Sequence, residues 1–490
     1  MKKQILVSVD QSETRVALIE DGRAAECHIE RRGRRSVVGH IWKARVESVL
    51  AGMEAAFVGV GLPKSGFLHV DEVVAMGVPK HRRQVADLLK KGDEIMVQAT
   101  KDPMGTKGCR LTMQLSIAGR FLVYVPYGDG IGVSKRLGDD ERQRLRAICG
   151  ALPPDEGGII VRTAAMGASA TELARDLALL VHLWGALQQR AAMVKSPTLL
   201  YSEADTSLKV IRDLFGQGID EVLVDDEHQH QRILKFLRRT SPELVDRVRH
   251  YTDSVPLMRA YGVDGAIRST LDRRAPLPSG GYLVIDDTEA MTVIDVNTGR
   301  HVGRGNTTLE ETITRTNLEA AKEVVRQLRL RDIGGIVIID FIDMADKRNR
   351  AAVTRELEAA LATDRSRTFV VEISPLGLVQ MTRQNISDGP REILTQPCPS
   401  CGGAGVVVTD ETHAIEVERE LRDTLAERGE AQVVVSVNPR IAALLSEDDS
   451  ALLAEISAAT GTTIRIERDP SLAPEAVRVR PLAKGAGAAA

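Results

Sequence analysis

Aromatic side chains are scarce in this chain: 2 Trp, 6 Tyr and 7 Phe make up 3% of 490 residues, although hydrophobic residues reach 43%. The interior must therefore be built from Val, Leu, Ile and Ala, and each aromatic position is worth locating. Cysteine is scarcer still. Cys27, Cys109, Cys149, Cys398 and Cys401 form an odd, widely spaced set, which excludes a disulfide framework of the kind that staples small secreted domains. Only Cys398 and Cys401 are close enough to share a job. No segment approaches the roughly 20 apolar residues of a membrane span. The N-terminal MKKQILVSVDQ carries two lysines but no apolar stretch of signal-peptide length, so a cytoplasmic protein is expected. An excess of charge is missing too. With 65 Lys and Arg against 68 Asp and Glu the net charge is −3, and composition alone announces no nucleic-acid-binding field. Any such surface must be local. The candidates are Arg31 to Arg35 (RRGRR), Lys135 with Arg136, the set Arg142, Arg144 and Arg146, and Arg238 with Arg239, each of which reads by default as a solvated face.

What is present is length enough for two or more domains. Alternation through Ile5 to Val9 and Val16 to Ile19, with Asp21-Gly22 before a further strand, reads as a hairpin. From about Ser36 to Thr112 come short β-rich runs with Gly-rich turns, the pattern of a small closed barrel, with Phe57 and Phe67 in successive strands and Lys107 before the last. A strand over Phe121 to Val125 and another over Gly158 to Thr163 follow. Leu173, Leu177, Leu180, Trp184 and Leu187 then recur at helical spacing. Strand and helix alternate again through 198–261. GGYLVIDDTEAMTVIDVNTG reads as two strands with a short turn; Thr308 and Glu311 form a capping-box pattern opening a helix with Ile313, Ala320, Val324 and Leu328 on its apolar face. The helix carries Arg329 and Arg331 near its end, and IVIIDFIDM follows as an apolar strand. Strand, helix, strand in that order predicts a crossover and a sheet covered on both faces. Past Glu411 a charged helical segment leads to AQVVVSV, two helical runs and TTIRIERD, a small α/β unit; KGAGAAA at the end is expected to be disordered.

Three constellations carry chemistry. In TVIDVN the period of two puts Val293, Asp295 and Asn297 on one face, and IVIIDFID ends a buried strand in Asp340, with Asp343 just beyond. Two aspartates converging at carboxyl ends of strands suit Mg²⁺, a hard cation held by few carboxylates together with phosphate oxygens and water. The competing reading is that each aspartate caps the loop after it. Second, CPSCGG at 398–403 is the turn by which two thiolates grip zinc, which wants four ligands. His413 and another group complete the site, or two chains each contribute one pair, which is the preferred reading. A redox dithiol is the alternative, set aside for want of a thioredoxin-like context nearby. Third, exposed aromatics on a barrel let bases stack irrespective of sequence, and Lys107 adds a phosphate contact; against this, phenylalanines in strands commonly belong to the core. GVGLPKSG at 59–66 lacks the strict phosphate-loop spacing and reads as a barrel turn.

DVNTG, the helix ending RQLRLRDIGG, the strand IVIIDFIDM and CPSCGGAG, in that order, resemble the ribonuclease E/G family over residues 1–410 and nearly to the end of the chain. The branch without a long disordered scaffold tail is the nearer match. The resemblance implies a multidomain α/β (α+β) protein. A ribonuclease-H-like segment (1–35 and 206–278) is interrupted by an OB-fold RNA-binding barrel of the ribosomal-S-one type (36–118) and a 5′-sensor region (119–205). A DNase-I-like catalytic domain (279–397), a zinc link (398–412), a small C-terminal α/β domain (413–483) and a disordered tail (484–490) follow. It also implies roles. Asp295 and Asp340 match the Mg²⁺-binding catalytic aspartates and Asn297 the asparagine that assists them. Cys398 and Cys401 match a Zn²⁺-binding pair shared between two subunits of a homo-oligomer, a dimer or a tetramer. Phe57, Phe67 and Lys107 match RNA contacts of the barrel. Arg162 and Thr163, backbone groups near Gly119 and Val123, and Arg367 match a pocket for a 5′-monophosphate, where a guanidinium fork and a hydroxyl suit a terminal dianion. Lys135 departs from that pattern: it keeps the charge of an arginine and loses the fork. The expected activity is Mg²⁺-dependent endonucleolytic cleavage of single-stranded, A/U-rich RNA with a 5′-monophosphate, in ribosomal RNA 5′-end processing and messenger RNA decay. The alternative is a noncatalytic RNA-binding or assembly protein.

Overall fold

The computed structural model describes residues 2–31, 33, 36–75, 77–79, 83–103, 107–152, 157–216, 218–299, 309–371, 374, 377–384, 389–428, 431–447 and 450–481. Thr308 of the capping box, three of the four arginines of RRGRR and the 484–490 tail lie outside them. The chain divides into two compact units, Met1–Leu394 and Thr395–Ala490.

The first unit opens with the meander β1 (Lys3–Val9), β2 (Glu13–Glu20) and β3 (Arg23–Arg31). Asp21 and Gly22 join β2 to β3 with φ of 47° and 77°, the left-handed pair that a two-residue hairpin turn requires. Next, β4 (Ile41–Leu50), β5 (Ala55–Gly59), β6 (Gly66–His69), β7 (Glu94–Lys101) and β8 (Arg110–Thr112) pair in the order β4-β5-β6-β8-β7. Because β7 returns to β4, the five strands close into a barrel. Its core is aliphatic apart from Trp42 and Cys109, as the scarcity of aromatics dictates.

After the barrel, β9 (Ile117–Ala118), β10 (Leu122–Val125), β11 (Ile131–Val133) and β12 (Gly158–Val161) form the sheet β11-β12-β10-β9. Helix Ala170–Met193 buries Leu173, Leu177, Leu180, Trp184 and Leu187, the stripe its spacing predicts. The strand expected to reach Thr163 ends at Val161, because Thr163–Ala165 tightens into a single 3₁₀ turn. β13 (Thr198–Tyr201) then adds to the barrel beside β4, a long-range pairing that local pattern does not reveal. β14 (Glu221–Val224) runs parallel to β1, Ile5 opposite Val222 and Val7 opposite Val224, and β15 (Val248–His250) follows it. Segments from either side of the barrel thus share one sheet, β15-β14-β1-β2-β3.

The remaining sheet of this unit contains β16 (Arg274–Pro276), β17 (Tyr282–Asp287), β18 (Met291–Asn297), β19 (Gly335–Asp340), β20 (Thr368–Val370) and β21 (Leu378–Arg383), in the order β16-β17-β18-β19-β21-β20. Helix Leu309–Leu330 links the parallel pair β18 and β19, the expected crossover. The expectation of a sheet covered on both faces is wrong. Helices Leu309–Leu330 and Lys347–Leu361 pack on the same side, over Leu283, Ile285, Ile294, Val296, Val337 and Ile339. On the other side Asp295, Asp340, Gln380, Thr382 and Phe369 are exposed, and even Ile336 is 46% exposed. The parallel pair is flanked by antiparallel neighbours, and such mixed sheets need only one covered face.

In the second unit, β22 (Gln432–Val437), β23 (Thr463–Arg468) and β24 (Val477–Pro481) form the sheet β23-β22-β24, with β22 and β23 parallel and β24 antiparallel. Helices Asp410–Arg428, Pro439–Glu447 and Ser450–Thr460 accompany it. Among the described residues no helix is long and apolar enough to cross a membrane.

Candidate active site and nucleic-acid interface

Asp295 and Asp340 are directly opposite each other at the carboxyl ends of β18 and β19. Their aim is set by their neighbours. Ile294 and Val296 flank Asp295, Ile339 and Phe341 flank Asp340, and all four are buried in the helix-covered core, so both carboxylates must point to the open face. Asn297 Nδ2 donates to Asp295 Oδ2 at 2.8 Å. The Asp340 carboxyl is pushed above the ordinary aspartate range by burial and then by the like charges of Asp295 and Asp343. No cationic side chain among the described residues is a cause that offsets this repulsion. Hard oxygen donors of one sign, crowded at an open strand end, fit a divalent cation such as Mg²⁺.

One residue that sequence reading missed supports this corner. Asn317, fully buried on helix Leu309–Leu330, donates to the Ile342 carbonyl at 2.8 Å and accepts from the Ile342 N–H at 3.1 Å. It pins the backbone between Asp340 and Asp343. A signal was available: Asn317 interrupts the apolar stripe Ile313, Ala320, Val324, Leu328, and a polar residue there needs buried partners.

On the barrel, Phe57 and Phe67 are cross-strand partners, half-buried, their rings edge-on at 6.0 Å. Neither belongs to the barrel core, so the core reading of these rings gives way to an outward pair able to receive a base. Lys107 is exposed near them. Phe67 N–H donates to the Cys109 carbonyl at 2.8 Å, which draws the 107–109 segment against the start of β6.

Of the residues matched to the phosphate pocket, Arg162 and Gly119 meet directly beside the β9–β12 sheet. Arg162 donates from Nη1 to the Gly119 carbonyl and from Nη2 to Asp213 Oδ1, both at 2.7 Å. Gly119 N–H is already given to the Leu122 carbonyl at 2.8 Å, so Gly119 contributes by holding Arg162. A side chain at 119 would collide with Asp176, whose carboxylate lies 2.5 Å from where a Cβ would stand. Asp176, also missed from the sequence, accepts the backbone N–H groups of Arg120, Phe121 and Leu122 at 3.2, 2.8 and 2.9 Å and shapes the entry to Val123 in β10. Burial nevertheless raises its carboxyl above the usual range, outweighing those bonds. Thr163 Oγ1 contacts Ser134 Oγ at 2.9 Å, Lys135 is exposed, and Arg136 reaches the Ser366 carbonyl at 2.5 Å. The loop 134–136 thereby joins Thr163 to the exposed Arg367 at the start of β20. The Arg142, Arg144 and Arg146 set keeps its default reading, since Arg142 pairs with Asp139 and Arg144 with Glu141 on a helix that buries only its opposite face, Leu145 and Cys149.

In the second unit Cys398 is exposed and Cys401 half-exposed. The backbone N–H groups of Cys401 and Ser400 hold the Cys398 thiol below its usual range, which favours the thiolate. His413 sits in helix Asp410–Arg428 beside Glu416 at 3.5 Å. Among the described residues no group of three or more His, Cys, Asp or Glu is placed to hold a metal, so Cys398 and Cys401 stand as a pair.

Comparison with known proteins shows the family. Residues 116–386 match the family model described as "Ribonuclease E/G family", and 397–482 match "RNase E/G, Thioredoxin-like domain". The second match corrects the expectation that no thioredoxin-like context lies near the Cys398–Cys401 pair: β22, two helices and the parallel β23 supply a crossover unit that the sequence reading took only for a small α/β piece. The chain is 40% identical over 479 residues to Ribonuclease G of Escherichia coli (strain K12), covering 96% of this chain and 98% of that one. It is 38% identical over 476 residues to Ribonuclease G of Haemophilus influenzae, covering 95% and 96%. Against Ribonuclease E of Escherichia coli (strain K12) it is 36% identical over 464 residues, 92% of this chain but 43% of the longer protein. Matched over residues 116–386 and 397–482 and along nearly its whole length, the chain belongs to the ribonuclease E/G family.

Proposed function

We propose that this chain, an endoribonuclease, cleaves single-stranded, A/U-rich RNA with Mg²⁺ and prefers substrates that begin with a 5′-monophosphate, acting in ribosomal RNA 5′-end maturation and messenger RNA decay. The observation that carries the reading is Asp295 opposite Asp340 on an open sheet face, with Asn297 hydrogen-bonded to Asp295. Asp295 and Asp340 would hold Mg²⁺, which when bound supplies Lewis acidity and a water acidic enough to attack a phosphodiester near neutral pH. Asn297 fixes the Asp295 carboxylate without adding a negative charge that would repel the RNA backbone. The uncovered face admits an extended strand, Phe57 and Phe67 offer rings to its bases, and Lys107 offers a charge to its phosphates. Attack by water in line with the leaving oxygen leaves a 5′-phosphate and a 3′-hydroxyl on the two products. At the end pocket, Arg162 is held by Asp213 and Gly119 next to Thr163, and Lys135 and Arg367 would add positive charge there. Cys398 and Cys401 would meet the same pair of a second copy around Zn²⁺, giving four thiolates and a homodimer.

The test is Asp340→Asn assayed on a 5′-phosphorylated oligoribonucleotide. Cleavage should be lost while RNA binding, read by fluorescence anisotropy, stays intact; undiminished cleavage refutes the metal site. For the shared zinc, Cys398→Ser should lose metal and shift toward monomer in native mass measurement, and an unchanged dimer refutes it.

A further inference from the structure

In a chain so poor in aromatics, a ring left in solvent needs a reason. Phe121, Phe215 and Phe341 are buried and Phe57, Phe67 and Phe236 half-buried; Phe369 alone of the phenylalanines is exposed, at 68%. The other exposed aromatic, Tyr127, leans edge-on against Trp184 at 5.7 Å. Phe369 lies on β20, the edge strand of the catalytic sheet, where an exposed apolar ring invites unwanted pairing.

Its placement is specific. Val370 packs into the helix-covered core, so Phe369 points the other way, to the face that carries Asp295 and Asp340. Gln384 N–H bonds to the Arg367 carbonyl and Val371 N–H to the Gln380 carbonyl, so the extended pairing runs from 367 to 371. Arg367, Phe369 and the 44% exposed Val371 therefore share that face. β20 and β19 are both antiparallel to β21 and hence parallel to each other, with Phe369 and Ile336 on either side of Thr382. Asp340 lies four residues beyond Ile336, about 13 Å along the strands and about 10 Å across them from Phe369. Arg367, tied to the end pocket through Arg136 and Ser366, is two residues behind. The ring stands between the proposed contact for the RNA end and the aspartates, flanked by the exposed side chains of Ile336 and Thr382.

We infer that Phe369 is a stacking platform for one nucleobase of the single strand that runs from Arg367 to the Asp295–Asp340 pair. The inference rests on the cleavage site assigned above to that pair. A phenyl face takes any base, so the platform holds register rather than reading sequence.

The experiment uses the full chain and a 5′-phosphorylated single-stranded oligoribonucleotide with one cleavage site, in which a single abasic nucleotide is walked through the segment on the 5′ side of that site. With the unmodified chain, one abasic position should raise KM about tenfold. Phe369→Ala should raise KM for the intact RNA by the same factor, with little change in kcat, and should lose the response to that position; Phe369→Trp should restore both. An unchanged KM in Phe369→Ala, or a loss that adds to the abasic loss at every position, overturns the platform. So does a shift toward monomer with the abasic profile intact, which would make Phe369 a contact between copies. Cleavage surviving in Asp340→Asn would instead overturn the metal-site reading, with the abasic profile still deciding Phe369.

Discussion

Two groups of charged side chains in the first unit are built on opposite plans. Where helix Leu309–Leu330 meets the N-terminal sheet, the carboxylates of Glu20 and Glu26 meet guanidiniums. Arg329, almost wholly buried, donates to Glu20 at 2.9 and 3.1 Å and to Glu26 at 3.1 and 2.9 Å, and Arg365 also pairs with Glu26. Arg383 likewise takes Asp364 at 2.7 Å and Asp332 at 3.0 Å. Burial alone would raise the Glu26 carboxyl, yet His28 and the Arg365 and Arg329 guanidiniums hold it well below the usual range. At the open strand ends the plan reverses: Asp340 faces Asp295 and Asp343, and burial and like charge raise it. Balanced charge suits an interface inside the fold, and unbalanced charge fits the cation site proposed for Asp295 and Asp340. One helix serves both, since it carries Arg329 at one end and Asn317 nearer the site.

The contrast can be broken from either side. The largest effect belongs to Asp340→Asn: loss of one carboxylate removes several kcal/mol of transition-state stabilisation, on the order of a hundredfold or more in kcat. Its urea unfolding midpoint should hardly move. Arg329→Met should do the converse. It leaves Glu20 with Lys3 alone and Glu26 with Arg365 and His28, and costs about 3 kcal/mol by urea unfolding, while cleavage per folded molecule persists. The pH dependence follows in sign. Glu20 and Glu26 are depressed in the folded state, so their contribution is full above the unfolded value of about 4.3 and is lost as pH falls through the folded values. Arg329→Met should therefore flatten the acid limb of stability against pH.

Asn317→Ala joins the two regions. It leaves the Ile342 N–H and carbonyl unpaired and should cost about 1–3 kcal/mol in stability, with a fall in kcat because the Asp340 to Asp343 backbone loses its anchor. If stability falls and kcat does not, the anchor is structural only. The smallest effect is thermal. Asp340 is raised in the folded state, so its contribution to stability is full at low pH and is lost as pH rises through the folded value. Mg²⁺ should raise the Tm of the unmodified chain at neutral pH but not that of Asp340→Asn, and the metal-free variant should melt slightly higher.

Much of this was legible in the residues. Period-two and 3.6-residue patterns placed the hairpin at Asp21-Gly22, the barrel strands, the helix with Leu173 to Leu187 and the crossover from Asp295 to Asp340, because each depends on neighbours close in the chain. Side chains acting across long separations were missed. Asp176 serves residues more than fifty positions earlier, and Asn317 bonds a residue 25 positions later; each looks locally like one polar residue on a helix. The two-sided sheet was misjudged because IVII reads as wholly apolar, while the side on which helices settle is decided by packing.

The sequence by itself determined the strands, the phase of their alternation, and hence that Asp295 and Asn297 share a face, since backbone stereochemistry makes neighbours in a strand point opposite ways. Tertiary structure alone decided that Asp295 lies opposite Asp340, that their face is left open, that Arg162 is held by Asp213, and that Phe369 stands on the same side as the aspartates. Those outcomes depend on pairing register and on which face buries its apolar surface, and both are settled only when segments distant in the chain compete for the same contacts.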